Sequence, residues 1–243
     1  MEVAPVPTSA VLSPPAPAAV GQPVRPDRRK RVLDVVAALL LLILAAPVTA
    51  VVAVAVAVGL GRPVLFRQPR AGRHGRTFRL VKFRTMRPPD PARGLVEDAD
   101  RLTPLGRFLR ATSLDELPSL WNVLRGDMSL VGPRPLLPEY LPRYSPTQAR
   151  RHEVRPGITG LAQVRGRNSL SWEDKLRLDV RYVDTRTLRL DLSILLATVG
   201  TVLRREGISA AGMATAPEFV GAGSRSTAEW RDTAATTPAG ADR

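Results

Sequence analysis

From Val35 to Leu60 the chain carries no charged side chain, an apolar run of 26 residues. As one helix it would be about 39 Å long, enough to cross a bilayer. Pro47 divides it into arms of about twelve residues, roughly 18 Å each, and neither arm spans alone. Three readings compete. A cleaved signal peptide has a basic start and a small-residue exit, as here, but this run begins more than thirty residues into the chain. A single spanning helix fits the length. A re-entrant helical hairpin, broken at Pro47, enters and leaves by one face. Both flanks are basic: Arg28-Arg-Lys-Arg31 before the run, and eight Lys or Arg with no acid from Arg62 to Met86 after it. Basic flanks favour the cytoplasmic side, so the hairpin satisfies both and is preferred. Its weak point is backbone at the break that must be satisfied inside the membrane.

Beyond this run the pattern changes. Val64 to Gln68 and Thr77 to Phe83 read as strands around a Gly/Arg turn at residues 71–75. Pro104 to Arg110 reads as a short helix capped by Thr103. Pro138 to Tyr144 is proline-interrupted and reads as irregular, and Arg155 to Gly160 as a turn cluster. Trp172 to Tyr182 reads as a helix with a charged face. Leu192 to Leu203 is apolar but too short to span, so it is either a buried core helix or one lying on a membrane. The fold class expected is α+β and mostly helical. A re-entrant helix-break-helix is followed by a small basic β-hairpin, catalytic helices and membrane-surface amphipathic helices. The domains expected are a Pro/Ala-rich disordered tail (1–31), the membrane hairpin (32–61), a catalytic domain (62–210) and a disordered C-terminal tail (211–243).

Charge sharpens this reading. The 243 residues carry 36 Lys and Arg against 22 Asp and Glu, a net charge of +14, which calls for an anionic partner. Nucleic acid, a lipid surface and a phosphorylated substrate all qualify. The chain has no cysteine, so disulfides and thiolate metal sites are excluded. Its two histidines, His74 and His152, are too few for a histidine-rich metal site and read as surface or packing residues.

The candidate chemistry lies in Thr112-Ser-Leu-Asp-Glu-Leu-Pro118 and Val131-Gly-Pro-Arg-Pro135. Pro118 is tolerated only in a first helical turn, which puts the helix start near Asp115. Ser113 with Glu116 also fits a capping box starting two residues earlier. Leu117, Leu120, Trp121 and Leu124 then form a buried face. Asp115 and Glu116 are either plain N-terminal caps or working carboxylates. Arg107, Arg110, Arg125 and Arg134 around them favour the second: arginines hold phosphate oxygens, one carboxylate binds a divalent metal and the other attacks phosphorus. Asp127 is a cap or a further polar site residue.

Read in order, these segments resemble the bacterial sugar transferase family, the monotopic phosphoglycosyl transferases. The resemblance runs from about Lys30 to Ser209. It rests on Lys30-Arg-Val-Leu-Asp34, Phe66-Arg-Gln68, Lys82-Phe-Arg-Thr-Met86, the Asp115-Glu116 segment and Trp121-Asn-Val-Leu124. Gly126 to Pro135, Arg155-Pro-Gly-Ile-Thr-Gly160 and Leu178-Asp-Val-Arg-Tyr182 complete it. Eight motifs in the family's order are highly specific. Leu136 to Tyr144 and Gly166 to Trp172 are most similar to the small enzymes that transfer phospho-N,N'-diacetylbacillosamine.

The resemblance implies transfer of a sugar-1-phosphate from a UDP-sugar to a polyprenyl phosphate, releasing UMP at the cytoplasmic face. It implies Asp115 as nucleophile and Glu116 as a Mg²⁺ ligand. Lys82, Arg110 and Arg134 are the expected phosphate contacts, although Lys82 and Arg84 also suit a membrane surface. A basic environment is expected to keep Asp115 ionised. The re-entrant break is a family feature too. Here Ala46 replaces the family's usual serine before Pro47, and Thr49 is the residue placed to compensate. The competing classes are a nucleic-acid binder and a non-catalytic membrane scaffold. The first lacks any helix-turn-helix, zinc or RNP pattern, and aromatics are only 5% of the chain. The second is disfavoured by the intact acid pair and Arg134.

Overall fold

The structure is a computed structural model that describes residues 28–166, 169–204 and 218–221. Helix α1 spans Arg28–Leu44 and α2 spans Ala46–Leu60. Arg28 to Arg31 therefore belong to the first helix rather than to a tail. Residues 1–27, and most of 211–243, lie outside the described residues.

The two helices meet at a bend of 63° with Pro47 in the first turn of α2, where its missing N–H is tolerated. No single helix is long and apolar enough to cross a membrane, while the bent pair together has the length and composition to do so. A narrow stripe of each arm packs inward: Asp34 and Ala38 on α1, Val52 and Val56 on α2. Most of the other large side chains stay exposed, including Leu39, Leu40, Ile43 and Leu44 on α1 and Val51, Val54 and Val58 on α2. Thr49 does not compensate for Ala46, because its buried hydroxyl has no hydrogen-bond partner among the described residues.

The expected hairpin is present. Strand β1 (Leu65–Ala71) pairs antiparallel with β2 (Thr77–Phe83), placing Phe66 opposite Lys82 and Arg67 opposite Val81. Strand β1 runs three residues further than expected and includes Pro69, as an edge strand allows. Short helix α3 (Asp98–Arg101) precedes α4 (Pro104–Ala111), whose Thr103 cap accepts from the Gly106 N–H at 3.0 Å. A 3-10 helix, Leu114–Ser119, leads into α5 (Leu120–Arg125). Side chains from these two segments cap the free edge of β2. Ser119 Oγ donates to the Val81 carbonyl (2.8 Å), Asn122 Oδ1 accepts from the Val81 N–H (3.1 Å), and Asn122 Nδ2 donates to the Arg79 carbonyl (2.8 Å).

Strand β3 (Ser129–Val131) pairs parallel with β4 (Gly157–Thr159), so the segment expected as a turn cluster is a strand. Between them lie the 3-10 helix Pro138–Arg143, where irregular chain was expected, and α6 (Pro146–Ala149). Helices α7 (Leu161–Arg165), α8 (Trp172–Thr185) and α9 (Leu188–Arg204) complete the domain. Helix α9 has a buried side, as the core-helix reading expects, and an exposed apolar side. Ile194 is buried in the main core with Leu130, Val131 and Tyr182, while Leu188, Leu192, Leu196 and Val199 form an exposed apolar stripe.

Residues 218–221 fall in the stretch read as a tail, yet they dock. Phe219 is buried among Tyr140, Tyr144 and Trp172, with ring centroids 5.4–5.6 Å away. Arg143 Nη1 anchors the segment by donating to the Phe219 carbonyl (2.5 Å) and to Glu218 (2.7 Å). Phe219→Ala is expected to cost about 2–4 kcal/mol. A thermal melt should show a drop of several degrees, and the Trp172 environment should become wetter by fluorescence. An unchanged melt would mean the contact adds nothing.

Candidate active site

Asp115 and Glu116 sit in the second and third positions of the 3-10 helix, not at the start of an α-helix. The capping box is absent: Ser113 makes no side-chain cap bond and lies in the left-handed region at φ 56°. A non-glycine residue held there is strained, and here it immediately precedes the acid-bearing segment. Pro118 is accommodated in the 3-10 helix. Of the expected buried face, Leu120 is buried and Leu117 and Leu124 pack partly. Trp121 is instead exposed, on the wall of a groove of about 470 Å³ shared with Leu42, Leu65, Val81 and Pro118 and edged by arginines.

The fold gathers four of the expected residues. Lys82, from β2, donates to Glu116 Oε1 and lies 3.8 Å from Asp115 Oδ2. Arg134, in the turn after β3, reaches Glu116 Oε1 at 3.5 Å. Asp115 is only 8% exposed. Burial pushes its carboxyl up to about 6, against the pull of Lys82; adjacent Glu116 adds to the rise, and Arg134 and Arg110 oppose it. Desolvation outweighs the basic neighbours, yet a value near 6 leaves the Asp115 carboxyl mostly ionised at neutral pH, as expected. Arg110 stands behind this group, close enough to act on Asp115 through its charge. Its Nε donates to Thr85 Oγ1 at 3.1 Å, and its Nη2 lies 3.3 Å from Met86 Sδ.

Other motif residues turn out to be supports. Arg84 donates to the Leu60 and Gly61 carbonyls and closes the C-terminal end of α2, rather than projecting as a free surface charge. Asp127 pairs with Arg125 and accepts from Asn122, so it stabilises the loop after α5. Pro47 belongs to the helix bend and not to the carboxylate cluster. His152 is a packing residue whose Nδ1 meets the Gly72 carbonyl at 3.1 Å; burial lowers it to about 4, leaving it neutral at physiological pH.

The pair Arg151–Asp179 was not anticipated. Both are buried, joined at 2.7 Å, and Arg151 Nη2 also donates to the Arg134 carbonyl at 2.7 Å. They pin the turn that presents Arg134. Asp179 lay within a recognised motif, but no local pattern pointed to Arg151. Its partner is 28 positions away.

Among the described residues no three His, Cys, Asp or Glu side chains cluster as a metal cage. The donor set still fits Mg²⁺, which binds through one or two carboxylates and completes its shell with water and substrate phosphate. Paired carboxylates in a cationic cradle suit a ligand that carries phosphate.

The chain belongs to the bacterial sugar transferase family, whose model matches residues 26–205. The docked segment 218–221 lies beyond that match. The chain is 52% identical, over 80% of its length and 96% of the relative's, to a sugar transferase of Bacillus subtilis, EpsL, that is itself uncharacterised. It is 48% identical to the UDP-glucose:undecaprenyl-phosphate glucose-1-phosphate transferase of Caulobacter vibrioides, over 73% of this chain and 70% of that one. It is 40% identical to the undecaprenyl-phosphate galactose phosphotransferase of Salmonella typhimurium, over 73% of this chain but only 41% of that longer protein.

Proposed function

We propose that this protein transfers a sugar-1-phosphate from a UDP-sugar to polyprenyl phosphate, releasing UMP. The observation that carries the reading is the buried Asp115 beside Glu116, facing Lys82 and Arg134, in a chain whose named relatives perform such transfers. In this reading an Asp115 carboxylate oxygen attacks the sugar-bearing phosphorus. An Oδ–P bond forms and the bond to UMP breaks. An oxygen of polyprenyl phosphate then attacks the same phosphorus, frees Asp115 and yields the lipid diphosphosugar. Lys82 and Arg134 hold phosphoryl oxygens and offset the charge that builds on them. Arg110 supplies charge from behind. Glu116, with substrate phosphate, would hold Mg²⁺, which neutralises the diphosphate and eases departure of UMP.

The bent helix pair is assigned to a re-entrant membrane hairpin at the cytoplasmic face. Its exposed apolar surface and the apolar stripe of α9 support this. Residues 62–210 then form the catalytic domain on that face, and the Trp121 groove is a matching surface for the acceptor's apolar chain. For the donor, the likeness of residues 136–144 and 166–172 supports an N-acetylated or diacetylated amino sugar. Glucose and galactose, the sugars in the relatives' names, are the second reading.

The test is UMP release from a panel of UDP-sugars, with Mg²⁺ and undecaprenyl phosphate. Turnover of a diacetylated or N-acetylated donor alone supports the first donor reading. Turnover of UDP-glucose or UDP-galactose replaces it, and release from no donor would overturn the proposed activity. Because Asp115 must be ionised to attack and its carboxyl is raised to about 6, the rate should climb up to tenfold per unit below pH 6 and level off above it.

A further inference from the structure

At the C-terminal end of α5, away from the acid-bearing 3-10 helix, a cavity of about 30 Å³ is lined by Lys30, Arg31, Arg73, Arg155 and Arg186, with Asp34 as the acid in its wall. Three of the arginines are held by main-chain carbonyls. Arg31 donates to Val123 O (2.6 Å) and Leu124 O (2.9 Å), Arg155 to Gly126 O (2.9 Å) and Arg73 to Glu153 O (3.1 Å). None of these three has a carboxylate within 4 Å among the described residues. The nearby acids are already used. Asp34 accepts from Ser129 Oγ (2.7 Å) and the Leu130 N–H (3.2 Å), and Asp191 takes the Lys30 ammonium (2.7 Å) and the Tyr182 hydroxyl (2.7 Å). The guanidinium groups repel one another. Besides partial burial, Arg155 weakens the proton affinity of Arg31, and Arg155 and Arg186 that of Arg73.

Like charges brought together on rigid carbonyl anchors are costly unless an anion joins them. Guanidinium forks match phosphate oxygens in geometry and charge. The location selects the source of the phosphate. Arg31 lies in the first turn of α1, and the exposed apolar surface of that helix begins at Val32, Leu33 and Val36. A ring of cations at the foot of an apolar helix lies where headgroups lie. We propose that this cavity mouth is a binding site for the phosphate of an anionic phospholipid headgroup, separate from the carboxylate cluster. The proposal rests on the membrane reading of α1 and α2.

The test uses the full chain in neutral detergent, titrated with phosphatidylglycerol, phosphatidylcholine or inorganic phosphate, with melting temperature as readout. Phosphatidylglycerol should raise the melting temperature of the wild type, and phosphatidylcholine should not. The apparent affinity for phosphatidylglycerol should weaken at least tenfold in Arg73→Gln and Arg155→Gln, and stay unchanged in Arg93→Gln, a distant exposed control. Arg155 also binds the Gly126 carbonyl, so Arg73→Gln carries the test if Arg155→Gln does not fold. An equal lipid response in all variants, or no response, would overturn the site. A response to inorganic phosphate alone, lost in Arg73→Gln, would make it a free-anion site and overturn the headgroup assignment. Partition into pure phosphatidylcholine vesicles tests the helix pair separately, because it needs no headgroup charge.

Discussion

Asp115→Asn is expected to abolish turnover while making the folded protein more stable at neutral pH. The amide cannot form the aspartyl phosphosugar, so UMP release should fall by at least about a thousandfold, as expected when a covalent nucleophile is removed. The stability gain follows from burial. The carboxyl is raised from 3.8 to about 6 in the folded chain, so the native state binds a proton more tightly than the unfolded one. Stability from this group is fully present below pH 4 and is lost as pH rises through the window from 4 to 6. Above pH 6 the wild type bears the full cost of an ionised, desolvated carboxylate, about 1–3 kcal/mol, and asparagine does not. Denaturant melts in metal-free buffer should therefore show the variant ahead at pH 7.5 and level with wild type near pH 4. A variant that is less stable at pH 7.5 would mean that the ion contacts of Asp115 outweigh its desolvation. Retained UMP release would remove Asp115 as nucleophile.

Gly157→Ala should be a severely damaging single-methyl change outside the carboxylate cluster. A Cβ on Gly157 would lie 2.1 Å from the Gly132 nitrogen and 2.3 Å from the Thr159 oxygen, both main-chain atoms that cannot turn aside. The close approach is what lets β4 lie against β3, with the Gly157 N–H on the Pro133 carbonyl and the Gly132 N–H on the Thr159 carbonyl, both at 2.9 Å. We expect a loss of about 3 kcal/mol or more. Activity should fall as well, because Arg134 is presented by the turn that this pairing fixes. Gly200→Ala is the control: nothing lies within 4 Å of its Cβ in α9, so helix propensity predicts a gain of about 0.5–1 kcal/mol. Thermal melts of the two variants should move in opposite directions.

Much of this molecule is legible one segment at a time. An uncharged run with a central proline between basic flanks describes the bent helix pair. Alternation around a glycine turn describes the hairpin, and Thr103 before Pro104 describes a capped helix. These readings hold because each depends on neighbours within a few residues. The acid-bearing segment was harder. Pro118 marked a helix start correctly in kind, but a 3-10 helix led by a left-handed Ser113 depends on how the turn is packed. Trp121 obeyed the helical period of the buried leucines and still came out exposed, because periodicity names a face and not what covers it.

By itself the sequence determined the residue types available for chemistry, the uncharged apolar run, the surplus of positive charge and the motif order that marks the family. Those are properties of composition and spacing. Tertiary structure decided the rest, through contacts distant in sequence. It buried Asp115 deeply enough for desolvation to outweigh three nearby cations. It turned Gly157 to Thr159, inside the expected turn cluster, into a strand by setting glycine against glycine. It brought Arg151 and Asp179 under Arg134, Phe219 into an aromatic cluster, and three arginines from separate segments around one cavity. Each depends on distances between elements, and a linear pattern carries no distances.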